Sequence, residues 1–321
     1  MTPCRVRHQA ATTRKNARLA GVLALALLML VLAGCASAPP LAETTERELP
    51  RRTLLADVPF HAQRDYQCGP ASLAMVLNAS GVAAEVDTLI PQVFLPGREG
   101  SVQPEMLGTV RRHERIPFRI EGNFDALLTE IDAGHPVVVM QNLSLPAWPV
   151  WHYAVAIGFD LDEQTLILHS GMQPQRVTSF GRFDATWARS DRWAFVALPP
   201  GELPATGDGQ AELQAIADFE RVQGAEAALP AWEAFVARYP EVAMGHFALG
   251  NARYTGGERR GAIAAFEQAV ARAPDLAVAW LNLGLLHRER NEPAAAREAL
   301  QRAAALPGPW QGQAREALKG L

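Results

Sequence analysis

Cys68 lies in the segment Gln67-Cys68-Gly69-Pro70-Ala71-Ser72, where a thiol precedes what reads as the start of a helix. Pro70 suits a first helical turn, because its missing N–H leaves no bond unmade there. Leu73, Val76 and Leu77 recur at helical spacing, and Gly81 is a stop signal. A cysteine at that position meets the positive end of the helix dipole, which favours thiolate and predicts a lowered pKa. A nucleophile also needs a base, and His61, His113, His135, His152 and His169 are available. His152 opens the apolar run His152-Tyr153-Ala154-Val155-Ala156-Ile157-Gly158-Phe159, which reads as a buried strand. A polar ring entering such a strand must find a partner. His135 sits in a turn signal, Gly134-His135-Pro136, while His61 and His113 stand among polar residues and read as solvated.

These residues need a hairpin and a helix to bring them together. Asp160-Leu161-Asp162-Glu163-Gln164 reads as a turn and Thr165 to Leu168 as the returning strand, which sets residues 170 to 172 opposite His152. Ser170 then falls across from His152, with His169 beside it, and Asp160 and Asp162 fall at the far end of the hairpin. Phe124 to Ala133 reads as an amphipathic helix, with Pro136 to Met140 and Trp193 to Leu198 as apolar strands. Trp148 and Trp151, flanking the His152 strand, are expected in the core, with one of them walling a substrate groove as the alternative. The Gly- and Pro-bearing stretch from Leu95 to Val102 reads as a loop that could border a cleft.

Val58-Pro59-Phe60, Gln63, Cys68-Gly69-Pro70-Ala71-Ser72-Leu73 and His152-Tyr153 together resemble the bacteriocin-processing (double-glycine leader) peptidases, and more closely their stand-alone exported relatives. The resemblance covers about residues 54 to 200. It implies a papain-like α+β fold, with a helix carrying the cysteine packed on an antiparallel sheet carrying the histidine. It also implies Cys68 as nucleophile, His152 as base and Gln63 as an oxyanion donor, with Gln67 a rival for that role. The family's third residue is an Asp on the strand after the histidine, and here Ser170 occupies its place. A serine can accept the ring N–H but cannot offset an imidazolium charge.

The first 34 residues carry Arg5, Arg7, Arg14, Lys15 and Arg18 and no acid, followed from Leu19 by an apolar run to Ala33. That run has signal-peptide length and is short for a membrane span. It ends in Leu32-Ala33-Gly34-Cys35, which resembles a bacterial lipobox and implies acylation at Cys35. By analogy with other lipoproteins, Ala36-Ser37 favours the periplasmic face of an outer membrane. Residues 35 to 53 read as a flexible tether. The remainder holds 25 basic residues against 34 acidic ones, a net charge of about −9, which argues against nucleic acid as a partner. Cys68 would be the one ordinary thiol after export, since Cys4 is removed and Cys35 modified.

Residues 201 to 209 read as a linker, and the chain beyond is Ala-rich and helical. A period of 34 aligns Leu249-Gly250 with Leu283-Gly284, Ala262 with Ala296, Phe266 with Leu300 and Ala269 with Ala303. Trp280, Leu283, Gly284 and His287 resemble the tetratricopeptide signature, and Trp232 and Phe235 suggest a degenerate first repeat from about residue 210. The expected whole is an envelope-anchored cysteine peptidase with no metal or cofactor, whose repeats at 210 to 321 recruit a peptide or protein. A catalytically weakened peptide-binding scaffold and an acyl transferase are the rivals.

Overall fold

A computed structural model describes residues 38–63, 67–95, 97 and 100–321; the export segment and Cys35 lie outside the described residues. In chain order the first half runs α1 (Glu43–Glu48), β1 (Arg52–Leu54), α2 (Cys68–Ala79), α3 (Val86–Val93), β2 (Phe94–Leu95), β3 (Gly100–Ser101), α4 (Gln103–Arg112), β4 (Ile116–Arg119), α5 (Phe124–Asp132), β5 (Val137–Asn142), β6 (Trp151–Asp160), β7 (Thr165–Ser170), β8 (Gln173–Ser179), α6 (Phe180–Trp187) and β9 (Ala194–Leu198). The second half is helical: α7 (Gly209–Gln223), α8 (Ala225–Arg238), α9 (Ala243–Thr255), α10 (Arg259–Arg272), α11 (Ala277–Glu289), α12 (Pro293–Ala305) and α13 (Gln311–Lys319).

The strands form one antiparallel sheet in the order β4-β9-β5-β6-β7-β8, with β1 also paired to β6. Side chains alternate across the sheet. On β6, Tyr153, Val155 and Ile157 face the cluster built with Leu73, Val76 and Leu77 of α2. Ala154 and Ala156 face the opposite cluster, with Leu127 and Ile131 of α5 and Phe183 and Trp187 of α6. Helices therefore cover both faces, and β5 is buried along its whole length. α2 stops where Gly81 takes φ +85°, a conformation that costs glycine little.

The tether expected through residue 53 ends earlier. Leu49 is buried, Ala42 N–H donates to Asp125 at 2.9 Å, and β1 pairs with residues 158 to 160 of β6. Arg51 and Arg52 bind Asp162 and Asp160 across that pairing. The segment docks because it covers the stretch of β6 that β5, which ends its pairing at Ala156, leaves open. Gly158 faces it so closely that a Cβ there would stand 2.6 Å from the Thr53 carbonyl.

The helical half continues the fold without a break. α7 packs on β4, so the sheet edge on that side is covered by the first repeat helix. Arg111 bonds Asp218 at 3.1 Å, and the Gln223 amide donates to the Arg111 carbonyl at 2.7 Å. The 201–209 linker is pinned as well. Fully buried Glu130 accepts from Ala205 N–H (3.1 Å), Thr206 N–H (2.7 Å) and Thr206 Oγ (2.6 Å), and pairs with His135 Nδ1 (2.7 Å). Helices then pair as α7–α8, α9–α10 and α11–α12, with α13 closing the end. Glycines let them approach: a Cβ on Gly250 would lie 2.5 Å from Phe266, and one on Gly284 2.6 Å from Leu300.

Candidate functional site

The β6–β7 ladder begins only at Val155 paired with His169 and is bulged at Ala156/Gly158, while the β7–β8 ladder shifts register between Leu168 and Ser170. Tyr153 therefore has no β7 partner, and its peptide groups on that side are open. Two other segments fill the gap. The Gln63 amide donates to the Tyr153 carbonyl at 3.3 Å, and the Tyr153 N–H is directed at the Cys68 thiol. Gln63 also clasps Gly171 from both sides, its N–H donating to the Gly171 carbonyl (3.0 Å) and its Oε1 accepting from the Gly171 N–H (2.9 Å). The backbone of Tyr153 thus gathers Cys68 and Gln63 next to His152.

Cys68 is the first residue of α2, with Gln67 in the capping position, and its side chain is half-buried. Its neighbour Gly69 has no room for a side chain, since Ser101 Oγ of β3 would stand 2.2 Å from a Cβ there. β2–β3 thereby borders the nucleophile, and the expected cleft-side loop includes this short hairpin. Residues 96, 98 and 99 of that loop lie outside the described residues.

The thiol is not the activated one expected. Burial pushes its pKa up, and the N–H groups of Tyr153, Gly69 and Cys68 itself only partly offset this. The magnitudes explain the correction. A helix terminus is worth about 0.3–1 kcal/mol, less than one pKa unit. Desolvation of a buried group reaches roughly 3–5 units.

His152 is half-buried, and its Nε2 lies 2.9 Å from Ser170 Oγ. The hairpin register therefore delivers Ser170 to the ring, as the turn at 161–164 implies. With Nε2 turned to Ser170, Nδ1 is the ring nitrogen left for other partners. Burial lowers the His152 pKa to about 4, with the positive charge of Arg176 adding to the effect. Both shifts favour the neutral forms, a thiol and an unprotonated imidazole.

Three of the other candidate histidines are occupied. His169 donates from Nε2 to the Val58 carbonyl and accepts at Nδ1 from Gln175 N–H, so neither nitrogen can serve as a base. His135 belongs to the Glu130 cluster and His61 bonds Asn78 at 2.8 Å. Asp160 and Asp162 hold the N-terminal arm and stay away from His152. Gln67 makes no side-chain capping bond.

Trp148 and Trp151 are not core residues: they are 74% and 51% exposed. The strand that Trp151 opens is buried only from Tyr153 onward, and Trp148 stands at the tip of the β5–β6 loop. Asn142 ties the base of that loop by accepting from Ser144 and Val150 N–H, both at 3.0 Å. Sequence reasoning missed two contributors, the Tyr153 peptide and Arg176. The first acts through its backbone, which no side-chain pattern reports. The second stands in a polar strand with no periodic signal.

Comparison with known proteins adds the following. Residues 55–194 match the family model described as Peptidase_C39 like family, and residues 214–259 and 247–309 match the tetratricopeptide repeat. No curated protein matches the chain. Among solved structures, a C39-like peptidase from Bacillus anthracis is similar at 16% identity over 46% of this chain and 98% of that one, with a TM-score of 0.39. MamA is similar at 22% identity over 35% of this chain, with a TM-score of 0.33, and 64% of the MamA chain is spanned, just under two thirds. The TPR2B domain of yeast Sti1, in its complex with pHsp70, is similar at 18% identity over 35% of this chain and 93% of that chain, TM-score 0.33.

Proposed function

We propose, from a chain whose residues 55–194 match the C39-like peptidase family and whose residues 214–309 match tetratricopeptide repeats, that this is a cysteine peptidase working through Cys68 and His152. The observation carrying this reading is that Cys68 and Gln63 both meet the backbone of Tyr153, beside His152, whose Nε2 lies 2.9 Å from Ser170 Oγ.

From a neutral pair the chemistry runs by general base catalysis. Nδ1 of His152 takes the thiol proton as Sγ of Cys68 adds to the substrate carbonyl. The oxyanion meets the Cys68 N–H, which has no partner inside its helix, and the second amide hydrogen of Gln63. His152 then gives its proton to the leaving amine, and water releases the acyl group by the same steps. The neutral Ser170 makes the imidazolium intermediate costlier than an Asp would. That favours, as a second reading, a catalytically weakened domain that binds peptides.

The repeats are proposed to recruit a peptide or protein partner. The candidate surface is a concavity of about 570 Å³ lined by Glu267, Trp280, His287, Glu298 and Arg302 of α10–α12. Cys35 is proposed as the lipid anchor, placing the protein at the periplasmic face of an outer membrane. Metabolic labelling with an alkyne palmitate should mark the chain and fail to mark Cys35→Ala.

A quenched-fluorescent peptide pool, incubated with the soluble chain, tests the catalytic reading. Cleavage should vanish in Cys68→Ala and drop about 10²–10⁴-fold in His152→Ala. Its kcat/KM should fall on the acid side only near pH 4, where His152 protonates and the base is lost. On the alkaline side the plateau should extend to the raised thiol pKa. Absent cleavage, with peptide binding retained in Cys68→Ala, would select the scaffold.

A further inference from the structure

The site has a charge that its known parts do not use. Arg176 sits on β8 opposite Leu168 of β7. Leu168 faces the cluster that holds Ala154 and Ala156, and strand alternation puts His152 on the same side of the sheet. Ser170, which holds His152, is paired with Gln173 on the same strand as Arg176. β8 is an edge strand, exposed along most of its length, and Arg176 itself is exposed.

Neither β7 nor β8 contains an acidic residue. Of the carboxylates nearest in sequence, Asp160 pairs with Arg52, Asp162 with Arg51 and Asp184 with Arg192, and Glu163 lies at the far end of the β6–β7 hairpin. The place where the family carries an anion thus holds a neutral Ser170 beside a cation. Among the described residues, the charge that acts on this ring, which must become positive during the reaction, is that of Arg176.

We propose that Arg176 is a specificity-determining residue that pairs with a carboxylate of the substrate, selecting acidic peptides for the Cys68–His152 site. This rests on the peptidase reading above. The carboxylate belongs either to an Asp or Glu side chain or to a peptide C-terminus. Pairing does two things at once. It anchors the peptide, and it cancels the charge that opposes protonation of His152, so the base strengthens when the right substrate is present. The negative charge missing from position 170 arrives with the substrate.

Alkylation of Cys68 tests this without requiring turnover. Iodoacetate and iodoacetamide differ by one carboxylate. In both reactions Sγ attacks the methylene, the C–S bond forms as the C–I bond breaks, iodide leaves and His152 takes the thiol proton. The iodoacetate-to-iodoacetamide rate ratio at Cys68 should fall about two- to fivefold in Arg176→Gln, the scale of an exposed ion pair, and be largely kept in Arg176→Lys. A ratio unaffected by salt and by Arg176→Gln would overturn the proposal. Peptide pairs then identify the source: Glu against Gln at each position tests a side chain, and a free C-terminus against its amide tests the terminus. Preference for neither partner in peptides that are cut would also overturn it. A shifted ratio with no peptide cut would keep the anion site and remove the peptidase reading.

Discussion

The two halves of this chain assemble their key contacts over very different distances. In the repeats, Gly250 meets Phe266 and Gly284 meets Leu300, each pair 16 residues apart and repeated at a period of 34. In the peptidase-like half, Cys68 reaches the peptide of Tyr153, and Gln63 clasps Gly171 across 108 residues. A local contact can form whether or not the rest of the chain is folded. A contact spanning a hundred residues exists only when the whole sheet is registered. Stability in the first case is a sum over neighbours, and in the second it approaches all-or-none.

The halves nevertheless share a core. Phe219, Trp232 and Phe235 of α7 and α8 belong to the same cluster as Phe124, Trp187 and Val196, whereas Phe266 belongs to a separate cluster with Leu283 and Leu286. The largest expected effect follows from that boundary. Trp232→Ala should cost about 3–5 kcal/mol and lower the stability of the sheet as well as the repeats. Phe266→Ala should cost a similar amount but confine its damage to α9–α12. Hydrogen exchange resolved by region would read the difference. Equal loss of protection in β5 and β6 for the two variants would abolish the distinction between local and shared contacts.

A smaller effect probes the joint itself. Glu130→Gln keeps the shape but turns an amide NH₂ toward donors, so the four bonds to Ala205, Thr206 and His135 cannot all be kept. It should cost about 1–3 kcal/mol and open residues 201–209 to proteolysis. The alkylation rate of Cys68 should hold. A large change in that rate would mean that the junction and the site are one cooperative unit.

The same contrast governs what could be read from the sequence. The 34-residue period, the helix from Cys68 and the His152 strand all follow from local pattern, and the fold class follows from them. Ser170 was reachable because a hairpin turns distance in sequence into register. β4 was not, since Ile116-Pro117-Phe118-Arg119 is too short and carries a proline that suits a sheet margin. β8 was not, because Gln-Pro-Gln-Arg-Val-Thr-Ser is exposed and shows no alternation. Side-chain type alone favours the core for Trp148 and Trp151, but the sheet offers them no covering element. The thiol pKa was misjudged for a related reason: the helix dipole is local and visible, whereas burial is set by the assembled fold.

The subtlest change would join the two modes by putting into the sequence what the assembled site lacks. Ser170→Asp places a carboxylate on Nε2 of His152, next to Arg176. The sign is fixed by charge: an anion stabilises the imidazolium, so the His152 pKa should climb from about 4, and the imidazolium should in turn pull the thiol pKa down. Burial of position 170 raises the cost of the new anion, and the two neighbouring cations repay it only when His152 is protonated. The gain should therefore appear as an ion pair. Alkylation of Cys68 at pH 6 should rise about 10–100-fold, a shift of one to two pKa units, while the rate at the alkaline plateau changes little. The iodoacetate preference should shrink at the same time, because the introduced carboxylate would occupy Arg176. An unchanged profile at pH 6 would mean that the thiol does not sense His152, and that the convergence on Tyr153 serves packing instead of catalysis.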